Sequence, residues 1–315
     1  MTEIKHRTID TNGIKMHIAE AGEGPLVLML HGFPELWYSW RHQLPALAEA
    51  GYHAVAPDVR GYGRTDAPKP IEAYSMKEMT ADAVGVLDAL GEQTAVVVGH
   101  DWGAPMAWNS AVLYPDRFGA VVGMSVPYMP RSPMPPLQLM RQMFANNFFY
   151  IIYFQQPGVA EEELNGDVRK MMRYFLYGAS GDSTPGAGMM GKPADAKLLD
   201  GMPEPKPMAW LTDEDLNYFV SEFERTGFTG GLNRYRNMDR DWEELPQIGV
   251  SKIEQPSMFI AGAKDPVIAF TSADSMKPLA PNMKRMVSLP GAGHWTQQER
   301  PDEVNAALIE FLKEL

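Results

Sequence analysis

A carboxylate at a sharp turn is the first chemistry this sequence offers. The apolar run Thr94 to Gly99 leads directly into Gly99-His100-Asp101-Trp102-Gly103, and Ala104 to Tyr114 follows with helical character. A strand, a tight turn and a helix in that order present the turn residue as a nucleophile, here Asp where Ser is commonest. The flanking glycines suit a strained backbone with chain passing close by. Asp101 could also do no more than cap the helix, so the reading depends on partners further along. Asp265 lies in Gly262-Ala263-Lys264-Asp265-Pro266 after the run Ser257 to Ala261, and His294 lies in Gly291-Ala292-Gly293-His294-Trp295 after Lys284 to Leu289. Both fall at the carboxyl ends of expected strands, where open α/β sheets collect their sites. The order nucleophile, acid, base is that of an acyl-transfer triad in a strand-turn-helix setting. The other place for an acid, after the run ending at Val126, holds Pro127 and Tyr128 and no carboxylate.

After Pro25 to Leu30 comes His31-Gly32-Phe33-Pro34. The backbone N–H of Phe33 and that of Trp102, the residue after the nucleophile, are the expected oxyanion donors. An Asp nucleophile narrows the reaction. Attack on an ester or amide would give a higher-energy anhydride, whereas attack at a saturated carbon gives an ordinary ester that water can hydrolyse in a second step. Epoxides and alkyl halides are therefore the expected substrates, with His294, oriented by Asp265, activating the water. A protein that keeps such a pocket only to bind a ligand is the non-enzymatic alternative.

The elements that must position these residues follow from hydrophobic patterning. Lys15 to Glu20 alternates, while Pro25 to Leu30, His53 to Pro57, Thr94 to Gly99, Ala120 to Val126, Ser257 to Ala261 and Lys284 to Leu289 are mostly continuous apolar runs. Continuous runs are strands buried on both faces, so a mostly parallel sheet flanked by helices is expected. Ser75-Met-Lys-Glu reads as a capping box, and Met76, Met79, Ala83, Val86, Leu87 and Leu90 follow at helical spacing before Gly91. Pro301 opens a last helix with Val304, Ala307, Leu308, Phe311 and Leu312 on one stripe. Between Met129 and Arg240 the alternation of strand and helix gives way to aromatic, Met-rich helical stretches around a Gly- and Pro-dense loop, Gly178 to Pro207. A helical cap, residues 129–240, inserted into an α/β core of 1–128 and 241–315 is the expected organisation.

Composition bounds the rest. The 315 residues are 45% apolar and 22% charged, which fits a globular domain with a sizeable core. A formal net charge of -12 argues against nucleic acid or an anionic membrane as partner. With no cysteine, disulfides, thiolate metal sites and a Cys nucleophile are excluded, and no metal or other cofactor is expected. Met1 to Asp10 is too broken by charge for a signal peptide, so a cytoplasmic protein is expected. A monomer and a homodimer are equally compatible with the sequence.

At five motifs the chain resembles the epoxide hydrolases of the α/β-hydrolase superfamily, in particular the hydrolase domain of soluble epoxide hydrolases. These are His31-Gly32-Phe33-Pro34-Glu35, Gly99-His100-Asp101-Trp102-Gly103, Tyr153-Phe154-Gln155-Gln156-Pro157-Gly158, Tyr235-Arg236-Asn237-Met238 and Gly293-His294-Trp295-Thr296-Gln297. The resemblance implies the α/β-hydrolase fold and conversion of epoxides to diols. It also implies two cap tyrosines, placed at Tyr153 and Tyr235, that hold the epoxide oxygen; Tyr150, Tyr174, Tyr177 and Tyr218 are expected to pack. The related haloalkane dehalogenases also carry Trp after the nucleophile but add a second donor, often Asn, where this chain has Phe33. Phe33, Trp37, Trp102 and Phe154 are expected to line an apolar substrate pocket.

Overall fold

A single eight-stranded sheet organises the chain, in the order β1-β2-β4-β3-β5-β6-β7-β8. The computed structural model describes residues 2–184, 192–268 and 271–315. The strands are β1 (Lys5–Thr11), β2 (Ile14–Ala21), β3 (Leu26–Leu30), β4 (His53–Pro57), β5 (Ala95–His100), β6 (Phe118–Met124), β7 (Ser257–Gly262) and β8 (Met283–Leu289). β1 and β2 form an antiparallel hairpin and β2 pairs antiparallel with β4; every later pairing is parallel. Seven strands fall on the expected runs. β1 does not, because it is an edge strand whose Lys5, His6, Arg7 and Thr8 are all exposed, leaving no apolar pattern to read.

Helices cover both faces, as burial of both sides of the central strands requires. α1 (Gln43–Glu49) and α12 (Pro301–Leu312) pack on one face around Trp40, Leu44, Val98, Leu308 and Phe311. α2 (Met76–Leu90) and α3 (Gly103–Leu113) pack on the other around Val86, Val97, Trp108 and Val121. Ser75 caps α2 by accepting the Glu78 N–H, and Gly91 ends it in a left-handed conformation. The reciprocal half of the expected capping box is not made: the Glu78 carboxylate accepts from Asn12 Nδ2 at 2.9 Å, tying the β1–β2 turn to the helix.

Between β6 and β7 the described residues form seven helices: α4 (Pro136–Met143), α5 (Tyr150–Tyr153), α6 (Val159–Gly166), α7 (Val168–Ala179), α8 (Asp213–Thr226), α9 (Thr229–Tyr235) and α10 (Met238–Glu244). They share one apolar cluster with the α2/α3 face of the sheet, joined through Phe154, Phe219, Phe223 and Phe228. The expected loop from Gly178 to Pro207 begins at the last turn of α7, and its residues 185–191 lie outside the described ones. The final short helix, α11 (Thr296–Glu299), follows β8 and leads into α12. No described helix is long and apolar enough to cross a membrane.

Candidate active site

The site forms where β3 and β5 run side by side, with the chain crossing outward from β3 to β4 on one side and from β5 to β6 on the other. Loops after such neighbours diverge and leave a crevice at the carboxyl edge of the sheet. Asp101 follows β5 with φ of 50°, a left-handed conformation that is uncommon for a non-glycine residue. The residues two positions to either side must be glycine: a Cβ on Gly99 would sit 1.9 Å from the Gly103 carbonyl oxygen, and one on Gly103 would sit 1.9 Å from that of Leu30. The turn thus presses β5, α3 and β3 together and leaves the Asp101 side chain 14% exposed among buried neighbours.

Each carboxylate oxygen of Asp101 has a separate partner. Oδ1 accepts the Phe33 N–H at 2.7 Å, and Oδ2 lies 3.3 Å from His294 Nε2. The other ring nitrogen, Nδ1, lies 3.1 Å from both carboxylate oxygens of Asp265, whose own Oδ1 also accepts the Val267 N–H at 2.8 Å. Asp101, His294 and Asp265 therefore stand in line. Burial alone would lower the pKa of His294, but the charges of Asp265 and Asp101 and its hydrogen bonds to both raise it well above the usual histidine value.

Beneath this line lies a second, fully buried pair. His100 directs Nδ1 to Glu35 Oε2 at 2.6 Å and Nε2 to the His294 carbonyl oxygen at 2.7 Å. Both partners are acceptors, so each ring nitrogen of His100 is placed to donate. Burial would raise the Glu35 carboxyl, but the charge and hydrogen bond of His100, with His31 and the Gly32 N–H, hold it down at about 2. Ser125 Oγ also donates to the His294 carbonyl at 2.9 Å. Glu35 and His100 stand inside the motifs picked out above, yet nothing in their spacing told that each supports the histidine. Ser125 directly follows β6, two residues before the Pro127 that opens the alternative acid position, and supplies a hydroxyl there.

The tyrosines are arranged differently from the expectation. Tyr235, at the end of α9, is buried with its ring edge-on to Trp102 at 5.1 Å. Burial pushes its hydroxyl well above the ordinary value of 10.0, and the charge of Asp101 adds to this. Tyr153 does not join it. The Tyr153 hydroxyl donates to Glu163 Oε2 at 2.7 Å, and Glu163 also accepts the backbone N–H groups of Leu198 and Leu199, so this phenol anchors a segment of the loop after α7. The phenol beside the site is Tyr150, one helical turn earlier. Its ring meets that of Tyr235 at 6.1 Å, and after burial the charges of Asp101 and Asp265 are what raise its hydroxyl.

Two of the expected pocket residues are also placed elsewhere. Trp37 lies in a short 3₁₀ turn that carries it to the other face of the sheet, where its indole N–H donates to the Tyr218 hydroxyl at 2.7 Å and its ring meets His6 edge-on at 4.7 Å. Phe154 is fully buried and packs against Phe33, Tyr150 and Tyr235, so it supports the two phenols from behind. Phe33 is similarly enclosed by Phe154, Phe175, Phe228 and Tyr235, leaving its backbone rather than its ring toward Asp101. Trp102 is half-buried, and the guanidinium of Arg234, ion-paired with Asp241, stacks 4.8 Å from its ring.

A parallel sheet with an aspartate at such a turn, a histidine on it and a second carboxylate behind defines a hydrolase site, and residues 25–301 match the model of the alpha/beta hydrolase fold family, to which the chain belongs. Within that family it falls among the epoxide hydrolases. It is 51% identical over 310 residues to epoxide hydrolase A of Mycobacterium tuberculosis, covering 97% of this chain and 96% of the relative. It is 44% identical to epoxide hydrolase 1 of Siraitia grosvenorii over the full length of both. The crystal structure of epoxide hydrolase A from Mycobacterium thermoresistibile superposes with a TM-score of 0.95 at 51% identity, over 99% of this chain and 98% of that one.

Proposed function

We propose that this epoxide hydrolase converts apolar epoxides to vicinal diols through a covalent ester on Asp101. The observation that carries the reading is the division of the Asp101 carboxylate between the Phe33 N–H and His294, with the phenols of Tyr150 and Tyr235 beside it. In the first step an oxygen of Asp101 attacks an epoxide carbon, the C–O bond of the ring breaks, and the departing oxygen takes a proton from a tyrosine. Both phenols are raised by burial and by the Asp101 charge, so they remain protonated donors under neutral conditions. In the second step the tyrosinate regains its proton from the His294 imidazolium, and the neutral His294 then removes a proton from water, which attacks the Asp101 carbonyl carbon. The N–H groups of Phe33 and Trp102 hold the oxyanion until the acyl–oxygen bond breaks, the departing alkoxide takes the remaining proton of the attacking water and the diol leaves. Asp265 fixes the tautomer and orientation of His294. The helical segment 129–240 serves as the cap that brings Tyr150 and Tyr235 over the nucleophile and excludes water during opening.

Removing His294 separates the two steps, because the base serves only the second. His294→Gln is expected to open an aryl epoxide such as styrene oxide and then stall, so that intact mass spectrometry finds a protein heavier by the mass of the whole epoxide. Loss of a general base slows hydrolysis by about a hundredfold to ten-thousandfold. A folded His294→Gln protein that releases diol at the parent rate would remove His294 from the mechanism.

A further inference from the structure

The loop that carries His294 contains Gly291 and Gly293, the most permissive backbone a catalytic residue could be given. Something must hold it, and the side chain that does so is Glu299. It ends the single turn of α11 and folds back toward the histidine. Its Oε1 accepts the Trp295 N–H at 3.1 Å, and its Oε2 accepts the Gly293 N–H at 3.0 Å, so one carboxylate grips the chain on both sides of His294. Oε2 also accepts the Gly181 N–H at 2.9 Å and the Ser180 hydroxyl at 3.4 Å. Four donors converge on a buried group that only a carboxylate, with two oxygens and no proton, can satisfy.

The third arm of this grip reaches the end of α7. There the chain lies flat against the histidine loop: a Cβ on Gly181 would sit 2.0 Å from the Gly291 carbonyl oxygen and 2.8 Å from Gly293 N. The His294 N–H donates to Ala179 O at 2.8 Å, the Trp295 indole N–H to Leu176 O at 2.7 Å, and Lys264, the neighbour of Asp265, donates from Nζ to Gly181 O at 2.8 Å. Residues 176–181 are thus the brace against which both the acid and the base loops are set, and Glu299 locks the brace to the base.

We infer that Glu299 is a positioning residue for the hydrolytic half-reaction, holding His294 at the distance from Asp101 at which it can deliver water to the ester. The inference rests on the two-step mechanism proposed above. Opening of the epoxide needs Asp101 and the two phenols, none of which Glu299 touches; hydrolysis needs His294 set to within a fraction of an ångström.

The test is transient and steady-state kinetics on Glu299→Gln, whose amide turns one acceptor into a donor facing an N–H, and on Glu299→Asp, which keeps the charge and shortens the reach. Displacing a catalytic group by about 1 Å slows its step by about a hundredfold, so Glu299→Gln is expected to lengthen the lifetime of the Asp101 ester by a factor of ten to about a hundred. Because opening is spared, kcat and KM should fall together and kcat/KM should stay within about threefold of the parent. Glu299→Asp should show the same pattern more weakly and serves if the Gln variant does not fold. A merely structural role would instead lower kcat/KM along with the folded fraction, and that result, or an unchanged ester lifetime in both folded variants, overturns the inference. His294→Gln run beside them separates the two levels: if it too fails to accumulate ester, the mechanism itself is wrong, whereas ester in His294→Gln and none in either Glu299 variant refutes only the role of Glu299.

Discussion

The exchange of Tyr153 for Tyr150 gives the sharpest prediction, because the two residues sit one turn apart in α5 and the structure assigns them opposite consequences. Tyr150→Phe removes a proton donor that feels the charge of Asp101 and leaves Tyr235 as its companion. Deleting one preorganised donor to a developing oxyanion slows reaction by about a hundredfold to a thousandfold, so the rate of epoxide opening should drop by that order. Tyr153→Phe removes a hydrogen bond to Glu163, which retains the N–H groups of Leu198 and Leu199. A hydrogen bond to a charged acceptor contributes roughly 1.5 to 3 kcal/mol when well buried, and this half-buried one should contribute less, about 1 kcal/mol. The expected outcome is a fall in Tm of at most about 4 °C, with opening within about threefold of the parent. Single-turnover mixing with excess enzyme, following ester formation by quenched-flow mass spectrometry, measures the opening step, and thermal unfolding measures the stability. If Tyr153→Phe slows opening as much as Tyr150→Phe, or if Tyr150→Phe opens epoxide at the parent rate, the assignment of the donors is wrong.

Two pH experiments probe the buried charges. Glu35 is depressed from 4.5 to about 2, so its contribution to stability is present above about pH 4.5 and is lost as pH falls toward 2; linkage puts that contribution at roughly 3 kcal/mol. The gap in urea stability between the parent and Glu35→Gln should therefore narrow by this order between pH 5 and pH 2, and a gap that does not change with pH would show that Glu35 is not held ionised by its partners. Burial, reinforced by Asp101, raises the hydroxyls of Tyr150 and Tyr235 above the ordinary phenol value of 10.0, so both donors are retained where a free tyrosine would ionise. In a pH-jump single-turnover experiment the opening rate should stay level up to pH 10, and a fall with a midpoint below that would contradict the buried-donor arrangement.

What could be read from the sequence was what the chain states locally. Continuous apolar runs marked β3 to β7 because a strand buried on both faces has no polar alternation to blur it, and the glycines at 99 and 103 marked the turn because no other residue fits there. β1 was illegible for the converse reason, since an edge strand with four exposed residues in succession carries the composition of a loop. Asp101 directly follows β5, and Asp265 and His294 lie in the short loops after β7 and β8, so the positions of strands sufficed to bring them together. Tyr150 and Tyr153 could not be told apart because their difference is made by Glu163, which takes the Tyr153 hydroxyl and is itself held by the N–H groups of Leu198 and Leu199 from a distant part of the chain. Trp37 was misplaced because a 3₁₀ turn rotates it away from the motif it follows. Glu299 was missed because its partners lie on both sides of His294 and at Gly181, a pattern that exists only once α7 is docked.

The charge on His294 ties these observations to the order of the two steps. In the resting site the imidazole lies between two carboxylates, with Asp265 on Nδ1 and Asp101 on Nε2, and together they raise its pKa well above the usual histidine value against the effect of burial. A protonated histidine cannot take a proton from water, so the site as it stands is not yet set for hydrolysis. In the mechanism proposed above it is set for opening, in which Asp101 acts as an anion and the histidine only fixes its orientation. When Asp101 becomes an ester its negative charge disappears, and with it one of the two carboxylates that held the proton. Burial then weighs against the charged ring, and its proton passes to the tyrosinate left by ring opening. On that proposed mechanism, formation of the ester prepares its own hydrolysis. On this account Asp265 must be close enough to orient the ring without holding its proton once Asp101 is neutral, and the shared 3.1 Å contacts of Nδ1 with both Asp265 oxygens, one of them also occupied by the Val267 N–H, are suited to that intermediate hold.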